Sequence, residues 1–277
     1  MLRRILLIVS GLVLLATNVP AFAVTDGHLD GAEHPYVVLL LMEVNGSPAF
    51  RCSGTLLSPT VLLTAGHCAG APGEFSGMRV FTDSNVDAGR GVTNNYPFGG
   101  LNSVEAVEWH AHPLYPTASF VVHDVGVVLL QPPGVTGLSE YGTLPTANML
   151  DALANKRGQQ DVTFTAVGYG LQASFPDAAS WKTEAARTRY FATPRLLQIN
   201  TGFTGDFSLL LSNNHATGGT CFGDSGGPNF VGSGKSETTI VAAVTSYGIN
   251  GNCAGTGGVF RIDRQNVLDF IYTYYHP

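Results

Sequence analysis

The chain has 277 residues, 44% hydrophobic and only 12% charged, with a formal net charge of −6. An acidic protein this sparse in charge lacks the basic footprint of a nucleic-acid binder. Its length allows one large or two small cores.

Residues 1–23 read as a secretory signal. Arg3 and Arg4 supply the positive start, Ile5–Ala16 the apolar stretch, and Ala21-Phe22-Ala23 a small-x-small cleavage pattern after Pro20. A membrane anchor is the alternative, but the apolar stretch falls short of the ~20 residues a spanning helix needs. Removing the segment takes two arginines and no acids, leaving 254 residues at −8.

Beyond it, Gly is abundant (34 residues) and separates short runs rich in Val, Leu, Thr and aromatics. In chain order these are Tyr36–Met42, Thr55–Leu57, Val61–Thr64, Val125–Leu130, Thr163–Val167, Ser208–Leu211, Thr239–Thr245 and Gly258–Ile262. Many short strands between turn residues predict an all-β barrel or sandwich, and periodicity does not choose between the two. Asn45-Gly46-Ser47 reads as a hairpin turn or a glycosylation sequon.

The run Val61-Leu62-Leu63-Thr64 leads into Ala65-Gly66-His67-Cys68, a small-residue turn bearing a histidine. A general base needs such a fixed position, because proton transfer requires heavy atoms about 2.6–3.2 Å apart. Asp83-Ser84-Asn85-Val86-Asp87 starts like a calcium loop, but Ala88 and Asn94 stand where an EF-hand needs Gly and Glu. His110 and His112 have the spacing of a metal pair on one strand face. His123-Asp124 opens an apolar strand; a buried carboxylate there needs a partner, and an imidazole N–H would serve.

Gln131-Pro132-Pro133-Gly134 begins a strand-poor stretch reaching about Pro145, the best candidate for a connection between halves. Cys221-Phe222-Gly223-Asp224-Ser225-Gly226-Gly227-Pro228 places a serine between an acid and two glycines. There a hydroxyl can attack a carbonyl while backbone N–H groups approach the resulting oxyanion. The bland alternative is a turn. Val267, Phe270, Ile271 and Tyr274 form one apolar face of a terminal helix, which Asp263 could cap. Four cysteines allow three pairings; in an exported chain their spacing favours Cys52–Cys68 and Cys221–Cys253, and no CxxC pair suggests zinc.

Taken together, Thr64-Ala65-Gly66-His67-Cys68, Asp124-Val125-Gly126-Val127-Val128-Leu129 and Gly223-Asp224-Ser225-Gly226-Gly227-Pro228 resemble the chymotrypsin-like (trypsin-fold) serine peptidases. Cys52-Ser53-Gly54, Val167-Gly168-Tyr169-Gly170, Ser246-Tyr247-Gly248 and Gly258-Val259-Phe260 extend the resemblance over essentially the whole mature chain. It implies two perpendicular six-stranded antiparallel β-barrels with a C-terminal α-helix, the first over residues 24–140 and the second over 141–277. It implies Ser225 as nucleophile, His67 as base and then acid, Asp124 as orienting acid, and the N–H groups of Gly223 and Ser225 as oxyanion hole.

The resemblance further implies a specificity pocket with Gly219 at its base, followed by Thr220. Ser246, Tyr247, Gly248 and Gly258 would form its walls, and the Cys221–Cys253 disulfide its rim. Two glycine walls without an acid favour a large apolar or aromatic side chain over Lys or Arg. Signal cleavage after Ala23 would expose Val24, whose ammonium would fold onto Asp224; Thr25 and Asp26 depart from the family's usual Val and Gly. The implied protein is a secreted (extracellular or periplasmic) monomeric serine endopeptidase acting on proteins or peptides, with no cofactor, metal, nucleic acid or membrane partner. The alternatives are a protease-fold binding protein that has lost catalysis, and a general ester hydrolase.

Overall fold

The computed structural model describes residues 24–115, 121–154, 161–176, 179–180 and 183–277; the expected signal segment lies outside them. The chain is all-β with few helices. Strands β1 (His28–Leu29), β2 (Val37–Val44), β3 (Ser47–Ser58), β4 (Val61–Thr64), β5 (Gly77–Phe81), β6 (Ser103–Ala111) and β7 (Gly126–Leu130) come first. Then follow β8 (Phe164–Gly168), β9 (Tyr190–Ala192), β10 (Leu196–Thr201), β11 (Gly205–Asn213), β12 (Pro228–Val231), β13 (Val241–Gly248) and β14 (Gly255–Arg261). Two one-turn helices, α1 (Gly66–Ala69) and α2 (Val86–Gly89), precede the terminal α3 (Gln265–Tyr272).

The first half is a closed barrel in the order β2-β3-β4-β7-β6-β5. Its hairpin β2–β3 turns at Asn45 and Gly46, both at positive φ, as an Asn-Gly turn requires. Val38, Leu40, Leu56, Leu62, Val80 and Val127 are fully buried inside, each stabilising by roughly 1.5–3 kcal/mol through burial.

The second half supplies seven strands of an eight-stranded sheet, β1-β9-β8-β12-β13-β14-β11-β10, whose edge strand β1 comes from the N-terminal segment expected in the first barrel. It curls back on itself. Phe164 N donates to Pro194 O (3.0 Å) and Leu196 N to Val162 O (2.9 Å), around a bridge between Thr163 and Arg195. Six strands from β8 to β10 are thereby joined end to end, and β9 and β1 form an appended ribbon. Pro194 interrupts what would otherwise be one strand from β9 into β10, because it has no N–H to give the ladder. The ribbon carries the N-terminal segment onto the second sheet, with His28 opposite Phe191.

Helix α3 packs Val267, Leu268, Phe270 and Ile271 into the main core. Asp263 does not cap it. Its carboxylate, fully buried, is taken by Arg261 and by Leu150 N–H (2.8 Å), and Arg264 occupies the cap position without a side-chain bond.

Candidate active site

His67 sits in α1, directly after strand β4, and Cys68 ties that turn to β3 through a disulfide with Cys52 (Cα–Cα 6.2 Å). Asp124 lies two residues before β7, which pairs with β4, so the ladder brings the acid beside the histidine. The approach is close: a Cβ on Gly126 would lie 2.7 Å from the Ala69 side chain and 2.8 Å from Ala65 O, which only glycine permits.

Asp124 is fully buried and three donors take its carboxylate. His67 Nδ1 lies 2.9 Å from Oδ2, His67 N–H donates to Oδ1 at 2.9 Å, and Ser246 Oγ donates to Oδ2 at 2.5 Å. Holding Nδ1 in this way selects the tautomer that keeps a lone pair on Nε2.

The loop from Cys221 to Pro228 is tied at every level. Cys221 pairs with Cys253 (Cα–Cα 5.2 Å). Asp224 Oδ2 accepts from Cys221 N (2.8 Å) and Oδ1 from Gly170 N (2.7 Å). Ser53 N donates to Ser225 O (2.8 Å), and Ser53 Oγ donates to Gly223 O (3.0 Å) while accepting from Tyr169 N (3.0 Å). Gly226, at φ +77, donates to Thr245 O (2.8 Å); a Cβ there would strike Thr64 Oγ1 at 2.0 Å. Asp224, Gly226 and Gly227 all spend their N–H groups on backbone carbonyls, whereas those of Gly223 and Ser225 donate to no acceptor among the described residues. Two free donors on alternate residues can bind an oxygen that gains negative charge.

His67 and Ser225 line the same cavity of about 290 Å³, with Thr220, Phe222, Ser246, Tyr247 and Gly248. Among the described residues no hydrogen bond joins the two directly; base–nucleophile contacts commonly tighten only when substrate is bound.

Not every residue expected around the pocket faces it. Thr220, Ser246, Tyr247 and Gly248 line the cavity. Gly219 lies behind it: its N–H donates to Thr25 O (3.0 Å), and a Cβ there would meet the Asn213 side chain at 2.3 Å. Gly258 is covered by the Tyr247 ring, 2.2 Å from where a Cβ would stand, whereas a Cβ on Gly257 would point at Thr220 Oγ1 (3.1 Å). Gly257, not Gly258, thus points toward Thr220, and neither glycine lines the cavity. The cause is a register shift between Thr245 and Tyr247 that sets Tyr247 opposite Gly258.

Sequence reasoning did not assign roles to Asn213 and Ser53. Asn213 accepts from Thr25 Oγ1 (2.7 Å) and donates to Thr220 O (2.8 Å), holding the pocket floor. The Cys52-Ser53-Gly54 motif was the available signal for Ser53.

Val24 is fully buried against Tyr190 and Ala192, and the segment after it pairs with Gly219. Asp224 is fully buried with no cation within ion-pair distance among the described residues; burial pushes its carboxyl up to about 7 against the pull of the Cys221 and Gly170 amides.

Among the described residues, neither the His110–His112 pair nor Asp83 belongs to a cluster of three or more potential metal ligands. His110 stacks on Tyr274 (4.4 Å) and His112 on His123 (4.7 Å), so the two rings do not converge. Asp83 is spent on Thr93, Asn94 and Asn102 (2.6–2.9 Å).

The sequence model of the family described as Trypsin matches residues 28–271. Among solved structures, one titled "HL collagenase structure at 1.7 Å resolution" matches with a TM-score of 0.64 at 18% identity, covering 90% of this chain and 97% of its own. No curated protein matches the sequence.

Proposed function

The chain belongs to the trypsin family of serine endopeptidases, and on that premise we propose that Ser225, His67 and Asp124 form its catalytic triad. The observation that carries this reading is the cavity shared by His67 and Ser225, with the other side of the imidazole fixed by buried Asp124. Ser225 Oγ attacks the scissile carbonyl as His67 Nε2 takes its proton, and Asp124 stabilises the imidazolium. The unpaired N–H groups of Gly223 and Ser225 receive the oxyanion. His67 then protonates the departing amine, leaving an acyl-enzyme. Water, deprotonated by the same nitrogen, attacks the acyl group and restores Ser225.

The acyl-side residue enters the cavity lined by Thr220, Tyr247 and Gly248, which holds no carboxylate. A Lys or Arg head there lacks a partner, so large apolar or aromatic side chains are favoured. Cleavage of p-nitroanilide peptides tests this: Phe or Leu substrates are turned over faster than the Arg substrate, and the reverse order overturns it.

The mature protein begins at Val24 after export to an extracellular or periplasmic space, and its ammonium pairs with Asp224. Support comes from the buried Val24, from the docking of Thr25 on Gly219, and from Asp224, buried without an ion-pair partner among the described residues. N-terminal sequencing of the active secreted protein checks this, and an active enzyme starting elsewhere contradicts it.

Casein digestion by the wild type and by Ser225→Ala tests the triad as a whole. Digestion lost in the variant supports it. Equal digestion, or none by either protein, rejects it in favour of another nucleophile or an inactive binder.

A further inference from the structure

A second concavity, of about 390 Å³, opens beside the nucleophile loop and shares no lining residue with the first. Phe50, Arg51, Arg90, Tyr96, Pro97 and Arg187 line it, and no carboxylate does. Three of the chain's 14 Lys and Arg residues converge here, on a protein of net charge −6. Asp87 offsets two of them, pairing with Arg90 (3.1 Å) and Arg187 (3.2 Å), and buried Asp224 attracts Arg51 without pairing with it. Tyr96 holds the cluster together, with the Arg187 guanidinium 4.8 Å and that of Arg90 5.4 Å from its ring centroid.

Arg51 differs from the other two. It makes no hydrogen bond to a side chain and no ion pair among the described residues. Burial, and then the like charge of Arg187, hold its guanidinium below the ordinary value. It immediately precedes Cys52, whose disulfide partner Cys68 follows His67. Its Nε lies 3.3 Å from the point a Cβ on Gly223 would occupy. The charge thus stands against the residue whose amide receives the oxyanion.

The geometry of acyl transfer fixes which part of a substrate meets it. With the carbonyl oxygen at the Gly223 and Ser225 amides and the acyl side chain in the cavity of Thr220 and Tyr247, the leaving amine departs on the opposite side. That side runs past Gly223 toward Arg51 and the β2–β3 hairpin.

We propose that the groove of Arg51, Arg187 and Arg90 is a leaving-group subsite that selects an acidic side chain, Asp or Glu, in the first two residues after the scissile bond. The selectivity rests on the catalytic reading above. An incoming carboxylate offers part-buried Arg51 the charge-assisted hydrogen bond that no side chain among the described residues gives it, while a Lys there meets three like charges.

Internally quenched peptides with a constant acyl side and Glu, Gln or Lys at these two positions test it. The readout is the kcat/KM ratio of the Glu to the Lys peptide within each protein, which does not depend on how much of a variant is folded. The wild type is expected to favour Glu over Lys by about tenfold at low salt. Arg51→Gln shrinks the ratio, and Arg51→Glu inverts it, a gain of Lys cleavage that misfolding cannot produce. A wild-type ratio of one or below, or a ratio unchanged by both substitutions, overturns the subsite. Labelling of Ser225 by a fluorophosphonate separates the two readings. Labelled enzyme without the Glu preference defeats the subsite alone, whereas protein that neither labels nor cleaves defeats the catalytic assignment and the subsite with it.

Discussion

Asp124 is the most heavily committed side chain of the site: a backbone N–H, an imidazole and a hydroxyl share its two oxygens. Asp124→Asn keeps the size but presents an amide where an acceptor is needed, so the wrong imidazole tautomer is favoured. We expect kcat to fall by about 10⁴-fold with little change in thermal stability; a drop under tenfold would remove Asp124 from the mechanism. Ser246→Ala removes one of the three donors but leaves the imidazole bond, and kcat should fall by only about tenfold, measured on the same p-nitroanilide substrate. At this scale the sequence was informative where chemistry demands a particular residue in a motif. His67, Asp124 and Ser225 each stand in a motif that the resemblance singles out, and the structure brings His67 to Asp124 and to the cavity of Ser225. It was uninformative where register decides. Gly257 and Gly258 are chemically identical, and only the shifted pairing of β13 on β14 tells which one faces Thr220.

Strands with a continuous apolar run were legible: β2, β4, β7 and β13 bury nearly every residue and lie within a few positions of their expected runs. Strands β6 and β10 were not. Ser103–Ala111 is partly exposed on both faces, and Leu196–Thr201 buries only Leu196 and Ile199, so neither carries a strong hydrophobic signal. The N-terminal segment offers the sharpest test among the elements. While residues precede Val24, Asp224 is buried without an ion-pair partner among the described residues, the more distant Arg51 only partly offsets its burial, and its folded-state pKa, about 7, exceeds its ordinary value of 3.8. A raised carboxyl binds its proton more tightly when folded, so an N-terminally extended form should lose stability as pH rises between these values, by up to roughly 4 kcal/mol. A form starting at Val24 supplies the ammonium and should not. Thermal melts of the two forms at pH 5 and pH 8 check this, and parallel pH dependence would argue that Val24 and Asp224 do not pair.

At the scale of the molecule, a buried chain of charges links the N-terminal segment to the second sheet. Arg189 donates to Asp30 (2.6 Å), Asp30 pairs with His34 Nδ1, His34 Nε2 pairs with Glu237, and Thr165 donates to Glu237 (2.7 Å). Burial opposes a charge on His34, but its hydrogen bonds to Asp30 and Glu237 outweigh it and push the imidazole up to about 9. The folded-state value exceeds the ordinary 6.5, so this contribution is fully present below pH 6.5 and is lost as pH rises through about 9, amounting to roughly 3 kcal/mol. His34→Gln should flatten that alkaline decline in melting temperature; an unaltered decline would assign it to other groups. None of this network was legible in the sequence, because its members are 4 to 207 positions apart and no motif joins them. The all-β architecture was legible, since short strands between turn residues fill both halves of the chain. Ser225 stands where the halves meet, and its role as nucleophile is the central claim. Intact-mass and peptide-level mass spectrometry after fluorophosphonate treatment tests it most directly. The expected result is a single adduct, on Ser225, together with loss of casein digestion, and no adduct in Ser225→Ala. An unlabelled protein, or an adduct on another residue that abolishes digestion, would contradict it.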